Sequence, residues 1–122
     1  MEQPRIQTEL TEEVKAALDI VRSRVLEEVK ALHPDEADSL AESDLLFTYP
    51  GKEELLYTMT LDDAIKICGK YIAEASENSI DRVVRQIIKM YRMTDQVRES
   101  GELETSRERG RQYMAQIGIR SL

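Results

Sequence analysis

Residues 79–92 read Ser79-Ile80-Asp81-Arg82-Val83-Val84-Arg85-Gln86-Ile87-Ile88-Lys89-Met90-Tyr91-Arg92, and two patterns interleave there. At about 100° per residue, Ile80, Val83, Val84, Ile87, Ile88 and Tyr91 gather on one arc, and Arg82, Arg85, Lys89 and Arg92 on the opposite one. An amphipathic helix follows, with one side for a core and the other for an anion. Ser79 is its expected N-cap. The helix should run through Met93 and Val97 to about Ser100, where Gly101 ends it.

The same periodicity extends outward. Leu10, Val14, Leu18, Val21, Val25, Val29 and Leu32 trace a stripe along a first helix capped by Thr11 and stopped at His33-Pro34, because proline cannot continue a helix and pushes its predecessor out of helical geometry. Pro34 can open the next helix, a short one expected over residues 35–43, with Asp35, Glu36 and Asp38 near its positive end. Upstream of the quoted stretch, Thr60 and Asp63 form a capping box for a third helix. Its stripe is Leu61, Ala64, Ile65, Cys68, Tyr71, Ile72 and Ala75, ending near Ser76, with Ser76-Glu77-Asn78 as a break. Thr105 and Glu108 offer another capping box for a weaker last helix. Tyr113, Met114 and Ile117 point inward there, Gly110 interrupts it and Gly118 stops it.

Between the second and third helices the chain loses helical period. Two similar runs, Leu45-Leu46-Phe47-Thr48-Tyr49 and Leu55-Leu56-Tyr57-Thr58-Met59, flank Pro50-Gly51. Proline presets the first central position of a turn and glycine tolerates positive φ at the second, so a small hairpin is expected; the rival is a short helix through Lys52 to Met59. The expected fold is therefore mainly α, a single-domain bundle of about five helices with one small β-hairpin near residues 45–59. The first, third and fourth helices should form its core. The domain spans 10–118, between a flexible arm at 1–9 and a short tail at 119–122.

Composition agrees. One Phe, five Tyr and no Trp in 122 residues leave an aliphatic core, and five Gly with three Pro are too few for an all-β fold. Neither a signal peptide nor an apolar stretch of membrane-spanning length is read, and the single Cys68 cannot form an internal disulfide, so a cytoplasmic protein without membrane attachment is expected. Net charge is −7. Residues 1–61 hold 14 acidic and 6 basic residues, and residues 62–122 hold 10 and 11, so the halves carry −8 and +1. Such polarity would let two copies attract, or let the acidic half cover the basic helix within one molecule.

The inventory of reactive groups disfavours catalysis. His33 and Cys68 are the only His and Cys, they lie on different elements, and Glu-x-x-His is missing because Lys30 stands three before His33. His33 reads as an exposed residue at a helix C-terminus, and Cys68 as a small buried hydrophobe. No phosphate-binding glycine loop or nucleophile elbow occurs. Magnesium-dependent helical hydrolases use carboxylates alone, for which Glu12, Glu13, Glu27, Glu28, Asp35, Asp38, Glu42, Asp62 and Asp63 are candidates. Ala16 and Ala31 fall where a third ligand of a Glu-Glu-x-x-Glu run would stand.

The functional expectation settles on the basic helix. Arg82, Arg85, Gln86, Lys89 and Arg92 are the candidate partner-binding residues of a non-enzymatic, regulatory module acting through helix-to-helix and charge-complementary contacts, as a homodimer or with another protein. No catalytic residue, metal or cofactor is expected. One alternative is a nucleic-acid-binding regulator using residues 79–92. The distance from Gly69 to Arg82 exceeds that of a compact helix-turn-helix, and stacking aromatics are scarce there. A carboxylate-based nucleotide hydrolase is the second alternative.

Overall fold

The computed structural model describes residues 12–69 and 77–117. The expected N-terminal arm, Leu10, the Thr11 cap, the continuation of the third helix through Tyr71, Ile72 and Ala75 to Ser76, Gly118 and the C-terminal tail lie outside the described residues.

Helix α1 spans Glu12–Leu32 and buries Ala17, Leu18, Val21, Val25 and Val29. Leu32, assigned to the same stripe, is instead 42% exposed in the last turn. Pro34 does open the next element at its first turn, but the short α-helix expected over 35–43 is replaced by two 3-10 turns, Pro34–Ser39 and Glu42–Asp44. Leu40 and Ala41 between them are extended. The reason is the lack of an apolar stripe: neither turn buries a residue, and packing of an amphipathic face is what stabilises most protein helices.

The hairpin forms. Strand β1 is Phe47–Pro50 and β2 is Leu56–Met59, antiparallel with Phe47 opposite Met59 and Pro50 opposite Leu56. The expected Pro-Gly turn is displaced, however. Pro50 is the last residue of β1, Gly51 N–H donates to Leu55 O at 2.7 Å, and the positive φ falls on Glu53 (58°) and Glu54 (64°). Gly51 is needed for space, since a Cβ there would overlap the Tyr57 ring.

Helix α2, Leu61–Gly69, is capped as expected: Asp63 N–H donates to Thr60 Oγ1 at 3.3 Å. Leu61, Ala64, Ile65, Ile67 and Cys68 are buried. Helix α3 spans Glu77–Ser100. Ser79 is therefore not its N-cap, and Glu77 and Asn78 are not a break; both are already helical, with the Glu77 carboxylate placed favourably in the first turn. At the other end Gly101 (φ 80°) acts as predicted. Its N–H donates to Arg98 O, and Glu102 N–H donates to Val97 O, both at 3.2 Å. This paired closure satisfies carbonyls that the helix end leaves free.

The chain then turns directly into α4, Leu103–Ile117. Thr105 lies inside that helix rather than capping it, and Gly110 does not interrupt it. Helices α1, α2 and α3 share the core, as expected of the first, third and fourth helices, and Phe47 and Met59 of the hairpin complete it. Helix α4 packs mainly on β2. A Cβ on Gly110 would meet the Thr58 backbone, 3.0 Å from its carbonyl carbon and closer still to its oxygen. Glycine there lets helix and strand approach closely. Tyr113 and Met114 pack partly against the core. The Ile117 side chain lies outside the described residues.

Four buried hydroxyls tie these layers together. Thr48 Oγ1 bonds Thr58 Oγ1 and Thr94 Oγ1, each at 2.9 Å, and Thr58 Oγ1 bonds Ser106 Oγ at 2.7 Å. Thr94 also donates toward Leu46 O and Met90 O, and Ser106 toward Leu103 O. The network thus links β1, β2, α3 and α4. Among the described residues no buried side-chain polar atom lacks a partner, the condition under which such networks specify a core instead of weakening it.

Candidate partner-binding face

The core fixes which way α3 turns. Ile80, Val83, Val84, Ile87, Ile88, Met90, Thr94 and Val97 are all buried, so the opposite side must face water. Arg82, Arg85, Gln86, Lys89 and Arg92 are all exposed on it. With a rise of about 1.5 Å per residue the stripe is about 15 Å long. Helical spacing alone brings these five residues onto one edge.

Electrostatics separate this stripe from its surroundings. Two of the carboxylates flanking it on α3 are engaged elsewhere: Asp81 pairs with Arg24 of α1 at 2.6 Å, and Asp95 pairs with Arg98 at 3.5 Å. The side chains of the five stripe residues make no hydrogen bond or ion pair among the described residues. Among the described residues no carboxylate of the acidic half pairs with them. His33, which leads from α1 into the acidic turns, lies beside α3 at Tyr91, where its Nε2 and the Tyr91 hydroxyl share a 2.7 Å hydrogen bond. Tyr91 lies nine residues from Arg82, about half a circle around the helix.

His33 is accordingly not the exposed terminal residue expected from sequence. It is half-buried, edge-on to Tyr91 with ring centroids 5.9 Å apart. Burial, and then the charge of Asp95, raise the Tyr91 pKa above its ordinary 10.0, with Arg98 opposing. Cys68 is buried, as a small hydrophobe would be, with its Sγ 3.8 Å from Met90 Sδ.

The candidate metal carboxylates are dispersed or paired with cations. Arg22 of α1 reaches Glu42 with one nitrogen and Asp62 with another, the latter at 2.5 Å. Burial lowers the Arg22 pKa, but Asp62, Glu42 and Asp19 together outweigh it and leave the guanidinium above its ordinary value. Glu12 lies 3.9 Å from Lys15. Among the described residues no group of three His, Cys, Asp or Glu is placed to hold a metal ion. No described helix is long and apolar enough to cross a membrane.

No family model, curated protein or solved structure matches this chain. The functional reading therefore rests on the geometry.

Three half-buried tyrosines form a cluster that no local sequence pattern announces. Tyr49, Tyr57 and Tyr113 stack, with centroids 4.8 Å apart for Tyr57 and Tyr113 and 6.0 Å for Tyr49 and Tyr113. The matching tyrosines of the two hairpin runs were its only signal, because Tyr113 arrives from a helix more than fifty residues away.

Proposed function

We propose that this protein is a non-enzymatic binding or regulatory module that docks carboxylate-bearing protein surfaces along the outward stripe of α3 and acts as a homo-oligomer. One observation carries the reading: Arg82, Arg85, Lys89 and Arg92 stand exposed and, among the described residues, unpaired on a helix held by its buried side, while Asp81 and Asp95 pair with other cations. A cation already paired in its own chain offers little to a partner. Free ones on a helix held by its buried side are pre-organised, and complementary charge sets orientation and on-rate. Arginine adds a forked geometry suited to carboxylates. The single buried thiol, Cys68, fits a reducing, cytoplasmic setting.

The test is carbodiimide coupling in native cell lysate, which joins amines to carboxylates in contact. Intact protein should yield linked peptides between Lys89 and carboxylates of a partner chain, and Arg82→Glu with Arg85→Glu should abolish them while the circular dichroism spectrum stays unchanged. Equal coupling by the reversed variant would refute the docking edge. Retardation of a labelled duplex or single strand, lost in the same variant, would transfer the stripe to nucleic acid.

A further inference from the structure

We infer that the surface received by the α3 stripe is the acidic segment Pro34–Asp44 of a second copy of this chain, joined head to tail. This deepens the reading of the stripe as a docking edge and rests on it.

The segment holds Asp35, Glu36, Asp38, Glu42 and Asp44 and no Lys or Arg. All five carboxylates are on exposed residues, and the two 3-10 turns that carry them bury nothing. Glu42 is held by Arg22. Asp35, Glu36, Asp38 and Asp44 form no ion pair among the described residues. Among the described residues, four unpaired carboxylates are therefore exposed on one segment and four unpaired cations on α3.

Within one copy none of these carboxylates pairs with the stripe among the described residues; His33, which leads into the segment, lies beside Tyr91, half a circle around α3 from Arg82 and about 100° from Arg92. A two-fold pair needs both surfaces on one side of the molecule. Surfaces that face apart in this way give a head-to-tail contact that leaves a stripe free at one end and an acidic segment free at the other, so association continues beyond two chains.

The experiment compares the full chain with two neutralised variants, Asp35→Asn/Glu36→Gln/Asp38→Asn and Arg82→Gln/Arg85→Gln/Lys89→Gln. Every substituted residue is exposed, and circular dichroism checks that both variants fold. At low salt the light-scattering mass of the native chain should climb with concentration above 14.0 kDa and past twice that value. It should fall back toward one chain in about 0.5 M salt, where screening acts within a few ångströms. Each variant alone should stay at one chain mass. Their equimolar mixture keeps one intact stripe and one intact acidic segment, so it should form a pair of about two chain masses and grow no further. Carbodiimide treatment of mixed light and nitrogen-15 protein should link Lys89 of one isotope to Asp35, Glu36 or Asp38 of the other.

A native chain that remains monomeric, an acidic-segment variant that associates like the native chain, or a mixture no heavier than its components would each overturn the inference. If coupling of lysate proteins to the stripe persists in the acidic-segment variant, the docking edge stands and only self-docking falls. Nucleic-acid retardation that depends on the stripe would remove both.

Discussion

Gly110 and Thr58 meet where α4 crosses β2, at a separation that leaves no room for even one methyl group. A Cβ on residue 110 would overlap the Thr58 carbonyl, which is backbone and cannot swing aside. In an exposed helix interior, replacing glycine by alanine stabilises by about 1 kcal/mol. Here Gly110→Ala should destabilise by about 2 kcal/mol or more, as overpacked cores do. Urea denaturation reads the sign directly, and a gain in stability would refute the close approach.

The hydroxyl network should behave as one unit. Thr58 bonds both Thr48 and Ser106 while buried, so Thr58→Val should cost about 1–3 kcal/mol. A double-mutant cycle with Ser106→Ala should return a coupling of at least about 0.5 kcal/mol. Strict additivity would mean that the two hydroxyls do not interact.

Tyr91 sets the alkaline limit. A folded pKa raised above 10.0 means that the native state keeps the phenolic proton more tightly than the unfolded chain does. Its contribution is present in full below the unfolded value and is lost as pH rises through the folded one. Stability should therefore decline above pH 10. Tyr91→Phe should flatten that limb and, by removing the bond to His33, cost about 1 kcal/mol at neutral pH. Denaturation midpoints measured from pH 8 to 11 would check both effects.

The hairpin tip invites the opposite change. Glu53 and Glu54 occupy left-handed backbone geometry that glycine adopts freely. Glu53→Gly and Glu54→Gly should each raise stability by about 0.5–1 kcal/mol. A loss for both would argue against positive φ at these positions.

What the sequence revealed depended on repetition. Seven apolar residues at regular spacing placed α1, and two superimposed arcs placed both faces of α3. The end of α3 was legible because glycine has one common role there. Single contacts across long separations were not. Gly110 read as a helix interruption because the strand carbonyl that requires it is fifty-two residues away. Thr48, Thr58, Thr94 and Ser106 carry no pattern that marks them as a network, since a hydroxyl shows no burial until its partners arrive. His33 likewise read as exposed without Tyr91 beside it. The hairpin was found but its turn was misplaced, because Pro50-Gly51 has local turn chemistry that strand pairing overrode. The stripe was visible from its spacing, yet its freedom from internal ion pairs required knowing where Asp81 and Asp95 point.

Helix α3 thus carries two messages in alternating letters. Its inward residues answer to the fold, so substitutions there are filtered by whether the chain still folds. The outward cations are exposed and make no ion pair among the described residues, so mutation can rewrite them one at a time without altering the scaffold. A lineage bearing this fold could exchange one partner for another by drift along that edge alone.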